Sequence, residues 1–241
     1  APARKRESIY QPTQEGLRFP EQPSFATHAE ERRHRKERLA AACRAFALQG
    51  FDYGFAGHLT VRDPEHPELY WTNPMCVHFA NVKVSNLILV DHAGKVVEGE
   101  YAVNRAGFVL HAAVHEAHPE IMAMCHAHTL YGTAYAALGR PLAPITQDAA
   151  AFFEDHAVIR SEAGQVAVEE RAGLSVADHF KGVKAVIHQN HGLFTSSQHG
   201  IESAAFWFIA LERCCHQQLL VDASGHAPVL VPEQRSRFSR E

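Results

Sequence analysis

The sequence predicts an α/β fold in which helices cover a mixed sheet, and three observations carry that expectation. Composition is that of an ordinary globular chain, 46% hydrophobic and 21% charged over 241 residues, enough to bury a core without disulfide or metal staples. Residues 58 to 97 hold short runs rich in β-branched and aromatic residues separated by turn signals. Beyond residue 105 the hydrophobic period changes, and helical spacing alternates with compact apolar runs.

Element by element, residues 1–26 mix charge, Pro and Gln without a sustained period and read as a flexible arm. From His28 a charged run passes into Leu39, Ala40, Cys43, Phe46 and Ala47, the spacing of a helix that stops at Gly50, with its charges on a solvated face. Strands are expected at 58–62, 69–72, 87–90 and 95–97, the last two joined by the turn Asp91-His92-Ala93-Gly94. Phe108, Leu110, His111, Val114 and His115 mark a helix that ends before Pro119, and Ile121 to Cys125 suits a buried strand. Helices follow at 130–138 and 168–180, a short strand at 185–187, and a long helix at 201–221. One domain, 27–223, is expected, with 224–241 as a flexible tail.

Charge and cysteine usage narrow the partners. With 23 Lys+Arg against 27 Asp+Glu, the net charge of −4 gives no electrostatic reason to expect nucleic acid or an anionic membrane. No apolar run approaches the ~20 residues of a spanning helix, and the opening Ala1-Pro2-Ala3-Arg4-Lys5-Arg6 leads into polar sequence. Five cysteines without a CxxC pair suggest no disulfide framework, so a reducing, cytoplasmic setting is expected.

The compositional anomaly is 18 histidines. His126 and His128 follow an apolar strand, where residues i and i+2 share a face, so they read either as two metal ligands or as a hydrogen-bonded pair. His191 also follows a short buried strand and precedes Gly192, which permits a sharp turn or a close backbone approach. Three such ligands with a vacant position define an open catalytic site, where a divalent ion polarises a bound oxygen. His111 and His115 share a helical face that could hold a metal by itself, but they lack the HExxH spacing of zinc proteases, so packing, hydrogen bonding or a solvent-facing position is the expected role. Cys125 falls on the strand face opposite His126 and reads as core, and Cys214-Cys215, inside the last long helix, read as core or as a subunit contact. The tract Thr146-Gln147-Asp148 to Asp155-His156 sets acids beside aromatics, which suits a substrate pocket or a buried subunit seam, and a capped loop with an aromatic anchor equally.

Taken together, Gly57-His58-Leu59-Thr60-Val61-Arg62, Tyr70-Trp71-Thr72-Asn73-Pro74, Leu87 to Gly94, Asn104 to His111, Cys125-His126-Ala127-His128-Thr129 and Asn190-His191-Gly192-Leu193 resemble the class II aldolase/adducin family. The resemblance runs from about Arg38 to Asp222. It implies a three-layer α/β/α fold with a central mixed sheet, a homotetramer with sites at subunit interfaces, and a divalent metal, Fe(II) or Zn(II), held by His126, His128 and His191. Two departures stand out. The family's aldolases carry a Pro-Ser-Ser-Glu pattern whose acid moves protons, whereas Asn104-Arg105-Ala106-Gly107 places Gly107 there. The usual Gly-Asn-x-Ser phosphate loop is replaced by Gly57-His58-Leu59-Thr60, which argues against a sugar phosphate.

Loss of the acid shifts the plausible chemistry from aldol cleavage toward decarboxylation or oxygen chemistry at an open metal. The Asn104–His111 and Thr146–His156 tracts resemble a branch containing non-haem iron oxygenases of aminocoumarin biosynthesis. The expectation is therefore a metal-dependent enzyme that cleaves a C–C bond beside a carboxylate or carbonyl, favoured as an Fe(II) oxygenase decarboxylating an aromatic 2-keto or 2-hydroxy acid. A zinc-dependent lyase or decarboxylase and a non-catalytic adducin-like module are the alternatives. His58, Gln147 and Asp148 are candidate catalytic residues, and Asn73 and Arg105 candidate substrate contacts, all at loop or strand-end positions.

Overall fold

The computed structural model describes residues 14–160 and 176–240. Its strands are β1 (Gly57–Arg62), β2 (Tyr70–Thr72), β3 (Ile88–Val90), β4 (Val96–Glu98), β5 (Ala123–Ala127), β6 (His156–Ile159), β7 (Ala185–His188) and β8 (Gly192–Ser197). They form one sheet of order β4-β3-β2-β1-β5-β8-β7-β6, mixed because β6 and β7 are parallel while the other pairs are antiparallel. The helices are α1 (His28–Leu48), α2 (Arg105–Ala117), α3 (Leu130–Ala136), α4 (Gln147–Ala150), α5 (Ile201–Ala223) and α6 (Glu233–Arg240).

Side-chain alternation along the strands builds a core on each face of the sheet. Leu59, Val61, Cys125 and Leu193 join Leu39, Phe46 and Phe208 of α1 and α5 on one side. Met124, Val186 and Phe194 join Leu110 and Val114 of α2 on the other, giving the expected α/β/α layering. At the start of α1, the Thr27 hydroxyl accepts from Glu30 N at 3.2 Å while the Glu30 carboxylate accepts from Thr27 N, a reciprocal cap.

Several details differ from the sequence expectation. The charged face of α1 is not simply solvated: Arg32 reaches the buried Asp63 carboxylate at 2.6 Å, and Lys36 lies 3.6 Å over the Trp71 ring. β5 begins and ends two residues later than its apolar run, because pairing with β1 and β8 carries His126 into the ladder. β8 was hidden by its polar residues, which the sheet satisfies; Thr195, for example, donates to the Ala204 carbonyl at 2.8 Å. β6 and the short α4 were also unanticipated. The supposed flexible tail 224–241 instead carries α6, which starts after Pro232 and docks through Val231 N on the Pro144 carbonyl at 2.8 Å and Arg237 on Glu154 at 2.8 Å. Of the helix expected at 168–180, residues 176–179 are helical and 168–175 lie outside the described residues. The arm expectation for 1–26 falls partly outside them too, and 14–26 carry no helix or strand. Among the described residues no helix is long and apolar enough to cross a membrane.

Candidate metal centre

The centre is assembled where β5 lies between β1 and β8. Register places His126 directly opposite His58 on β1 and Phe194 on β8, whose ring stacks on His126 at 4.0 Å. The His126 Nδ1 lies 2.8 Å from the Leu193 carbonyl, which can only accept, so Nδ1 carries the proton and Nε2 offers its lone pair. His128 stands just past the end of β5, and His191 sits in the β7–β8 turn, stacked on the buried His188. That turn is made at Asn190, with φ 57°, so of the two roles the sequence left open for Gly192 the turn falls away. Gly192 serves the close approach instead: a Cβ there would lie 3.1 Å from the Ala127 carbonyl and 3.4 Å from the His126 ring.

One ligand atom from each of His126, His128 and His191 lies within 4.8 Å of the others. Burial comes first among the causes that push all three imidazoles below their ordinary range, His191 to about 3. Neutral rings with free lone pairs are the form a divalent cation needs. The donor set, the fixed His126 tautomer and the glycine-permitted crowding therefore fit a bound ion, with His128 and His191 only partly buried on the open side.

His58 is buried beside this cluster, its ring centroid 5.0 Å from that of His126, and neither ring nitrogen has a hydrogen-bond partner. Burial, reinforced by His128, pushes it down to about 3. Its ring also fills the space over Gly107, where a Cβ would lie 2.2 Å from His58 Cε1. The two departures read separately in the sequence are thus one coupled change: the imidazole from β1 stands where a side chain from α2 would otherwise enter.

The other candidates divide. Asn73 is buried and pins β2 to β1 by accepting from Leu59 N at 2.9 Å, while also lining a small surface cleft with Asp52, Phe55, Met75, Val77 and Phe79. Arg105 is exposed at the start of α2. Gln147 and Asp148 are exposed on α4, where Asp148 faces Arg213 at 3.9 Å; among the described residues no hydrogen bond or ion pair ties either of them to His126, His128 or His191. His111 and His115 are buried and hydrogen-bonded through Thr60, in line with the packing reading. Cys125, Cys214 and Cys215 are buried core residues, and all five cysteines are free.

Sequence reasoning missed Glu212 of α5. Its buried carboxylate accepts from the Thr129 hydroxyl and from Tyr131 N at 3.0 Å, capping α3 directly after His128. Burial raises its pKa. The only signal was a lone acid on the apolar side of a long helix.

Fold and site together define an α/β/α protein with an open three-histidine centre. Residues 37–219 match the class II aldolase and adducin N-terminal domain, and the chain belongs to that family. It is 44% identical over 223 residues to the decarboxylase NovR of Streptomyces niveus, covering 92% of this chain and 82% of the relative. It is 44% identical over 217 residues to a 4-hydroxy-3-prenylphenylpyruvate oxygenase/4-hydroxy-3-prenylbenzoate synthase of Streptomyces roseochromogenus subsp. oscitans, covering 89% and 78%. Among solved structures, one titled L-fuculose 1-phosphate aldolase from Glaciozyma antarctica PI12 superposes with a TM-score of 0.84 at 44% identity, covering 91% of this chain and 85% of that one. These relatives are enzymes, and the chain stands on the enzymatic, C–C bond-cleaving side of its family.

Proposed function

We propose that the domain at 27–223 is a metal-dependent enzyme that, with Fe(II) and dioxygen, oxidatively decarboxylates an aromatic 2-keto or 2-hydroxy acid. The observation that carries this reading is the three-histidine cluster with the His58 ring occupying the space over Gly107, so that the aldolase carboxylate has no room. When bound, the ion would supply Lewis acidity toward the substrate carboxylate and, as iron, a redox centre. His126, His128 and His191 would hold it, and His58 would meet the substrate beside it.

The cleft adjoining Gly57 supports the choice of acid. Phe55, Met75, Val77 and Phe79 line it, and none of its lining residues is Lys or Arg. Such a wall offers no cation to a sugar phosphate. The names of the two Streptomyces relatives point the same way. We further propose a homotetramer, in which Arg105, Gln147 and Asp148, exposed in a single chain, contribute to substrate contacts at a subunit boundary. A reducing, cytoplasmic compartment accords with the free cysteines.

A zinc-dependent aldolase-type lyase or decarboxylase is the second reading, favoured by a donor set of three imidazoles without a carboxylate. Elemental analysis of anaerobically purified protein beside His126→Ala separates them. Stoichiometric iron, lost in the variant while circular dichroism is unchanged, followed by oxygen consumption with 4-hydroxy-3-prenylphenylpyruvate, is the expected result. Zinc with oxygen-independent cleavage selects the second reading. Full metal occupancy in His126→Ala overturns the ligand assignment, and protein without metal favours an adducin-like module.

A further inference from the structure

Thr60 on β1 sets its hydroxyl between two rings of α2, with Oγ1 2.8 Å from His111 Nδ1 and 2.9 Å from His115 Nε2. A hydroxyl has one proton, so it donates to one ring and must accept from the other. His115 decides which. Its Nδ1 lies 3.2 Å from the Ile121 carbonyl, which only accepts, so that nitrogen carries the proton. Arg62 Nη2 stands 3.5 Å from the same nitrogen but is already committed to the His115 carbonyl at 2.8 Å and the Ile121 carbonyl at 3.2 Å. Burial, then the Arg62 charge, pushes His115 down to about 3, so the ring is neutral and Nε2 takes the Thr60 proton. The Thr60 oxygen in turn accepts from His111 Nδ1–H. His111, also neutral through burial, is left with a lone pair on Nε2.

That nitrogen is buried without a partner, and the His58 ring, with both nitrogens unpaired, stands 4.3 Å away between centroids at a tilt of 57°. We propose that Thr60, His111 and His115 are positioning residues that hold His111 as an acceptor for a His58 N–H, so that the other His58 nitrogen turns its lone pair toward the three-histidine centre and accepts from the C2 hydroxyl of the bound substrate, present in a 2-hydroxy acid and in the enol of an arylpyruvate. The inference rests on reading that centre as the substrate site. It assigns to a neutral ring the orienting task that a carboxylate performs for many catalytic histidines.

The test is nitrogen NMR of the full-length chain labelled with 15N-histidine and loaded with Zn(II) as a diamagnetic probe, signals being assigned by His111→Gln and His115→Gln. Both rings are expected as Nδ1–H tautomers, the minor form of free imidazole. In Thr60→Val, His111 should revert to Nε2–H, with kcat for 4-hydroxy-3-prenylphenylpyruvate lowered roughly 10- to 100-fold, the range for losing a supporting hydrogen bond, and KM nearly unchanged. Thr60→Ser, which keeps the hydroxyl, should restore both tautomer and kcat. A wild-type His111 protonated at Nε2 overturns the relay, as does a Thr60→Val enzyme that switches tautomer yet keeps its kcat. Should Thr60→Val fail to fold, the wild-type spectrum still decides. Correct tautomers without turnover on any aromatic 2-keto acid would instead count against the functional reading.

Discussion

Replacing Gly107 by Ala tests whether His58 and Gly107 are one coupled feature. The added Cβ would lie 2.2, 2.5 and 2.9 Å from three atoms of the His58 ring. Carbon atoms rest at about 3.5 Å or more, so the ring must retreat by about 1.3 Å. It has no free direction, since it packs against His111 at 4.3 Å and His126 at 5.0 Å between centroids. Overpacking of this kind costs about 1–3 kcal/mol, offset by at most about 1 kcal/mol from exchanging a helical Gly for Ala. A net loss of about 1–2 kcal/mol corresponds to a Tm roughly 2–8 °C lower for a chain of this size. A side chain displaced by about 1 Å beside the reacting groups can lower kcat on the order of 100-fold. The assay is thermal unfolding with steady-state kinetics on Gly107→Ala, His58→Ala and the double variant. The double variant should recover the stability lost to the clash without recovering activity. A Gly107→Ala enzyme with wild-type Tm and kcat would refute the coupling.

Glu212→Ala removes the acceptor for Thr129 and Tyr131 and should weaken metal affinity roughly 10- to 100-fold in a chelator competition, whereas Glu212→Gln keeps most of it. Asn190 holds φ 57° in the turn that carries His191, so Asn190→Ala should cost about 1 kcal/mol in urea unfolding and loosen the metal, while Asn190→Gly is tolerated. His115 is depressed from 6.5 to about 3 in the folded chain by burial and Arg62. The unfolded state therefore binds its proton first, and stability present above pH 6.5 is lost as pH falls toward 3, at up to about 1.4 kcal/mol per pH unit. Urea midpoints between pH 7.5 and 5 should fall less steeply in His115→Gln; an equal slope would mean that His115 titrates freely in the native state.

Much of the scaffold was legible because it depends on neighbours in sequence. The α1 boundaries follow from the charged run that opens at His28 and from Gly50, and the shared face of His126 and His128 follows from strand alternation. β8 was illegible because Thr195, Ser196 and Ser197 look solvent-facing until a sheet and a helix satisfy them. The tail 224–241 looked mobile because its helix is almost wholly polar and is held by Glu154 and Pro144, far away in the chain.

The sequence by itself determined the change from strand-rich to alternating helix and strand and the shared face of His126 and His128, since periodicity and parity are local properties, while the acid missing at Gly107 was read from the family resemblance. Only the tertiary structure decided that His58 fills the space over Gly107, that Thr60 joins His111 and His115, and that Glu212 braces the turn after His128. Thr60 and His111 are 51 residues apart, and Thr129 and Glu212 83 apart. Such contacts depend on strand register and helix packing, which are set by the burial of both sheet faces together and are written in no single stretch of the chain.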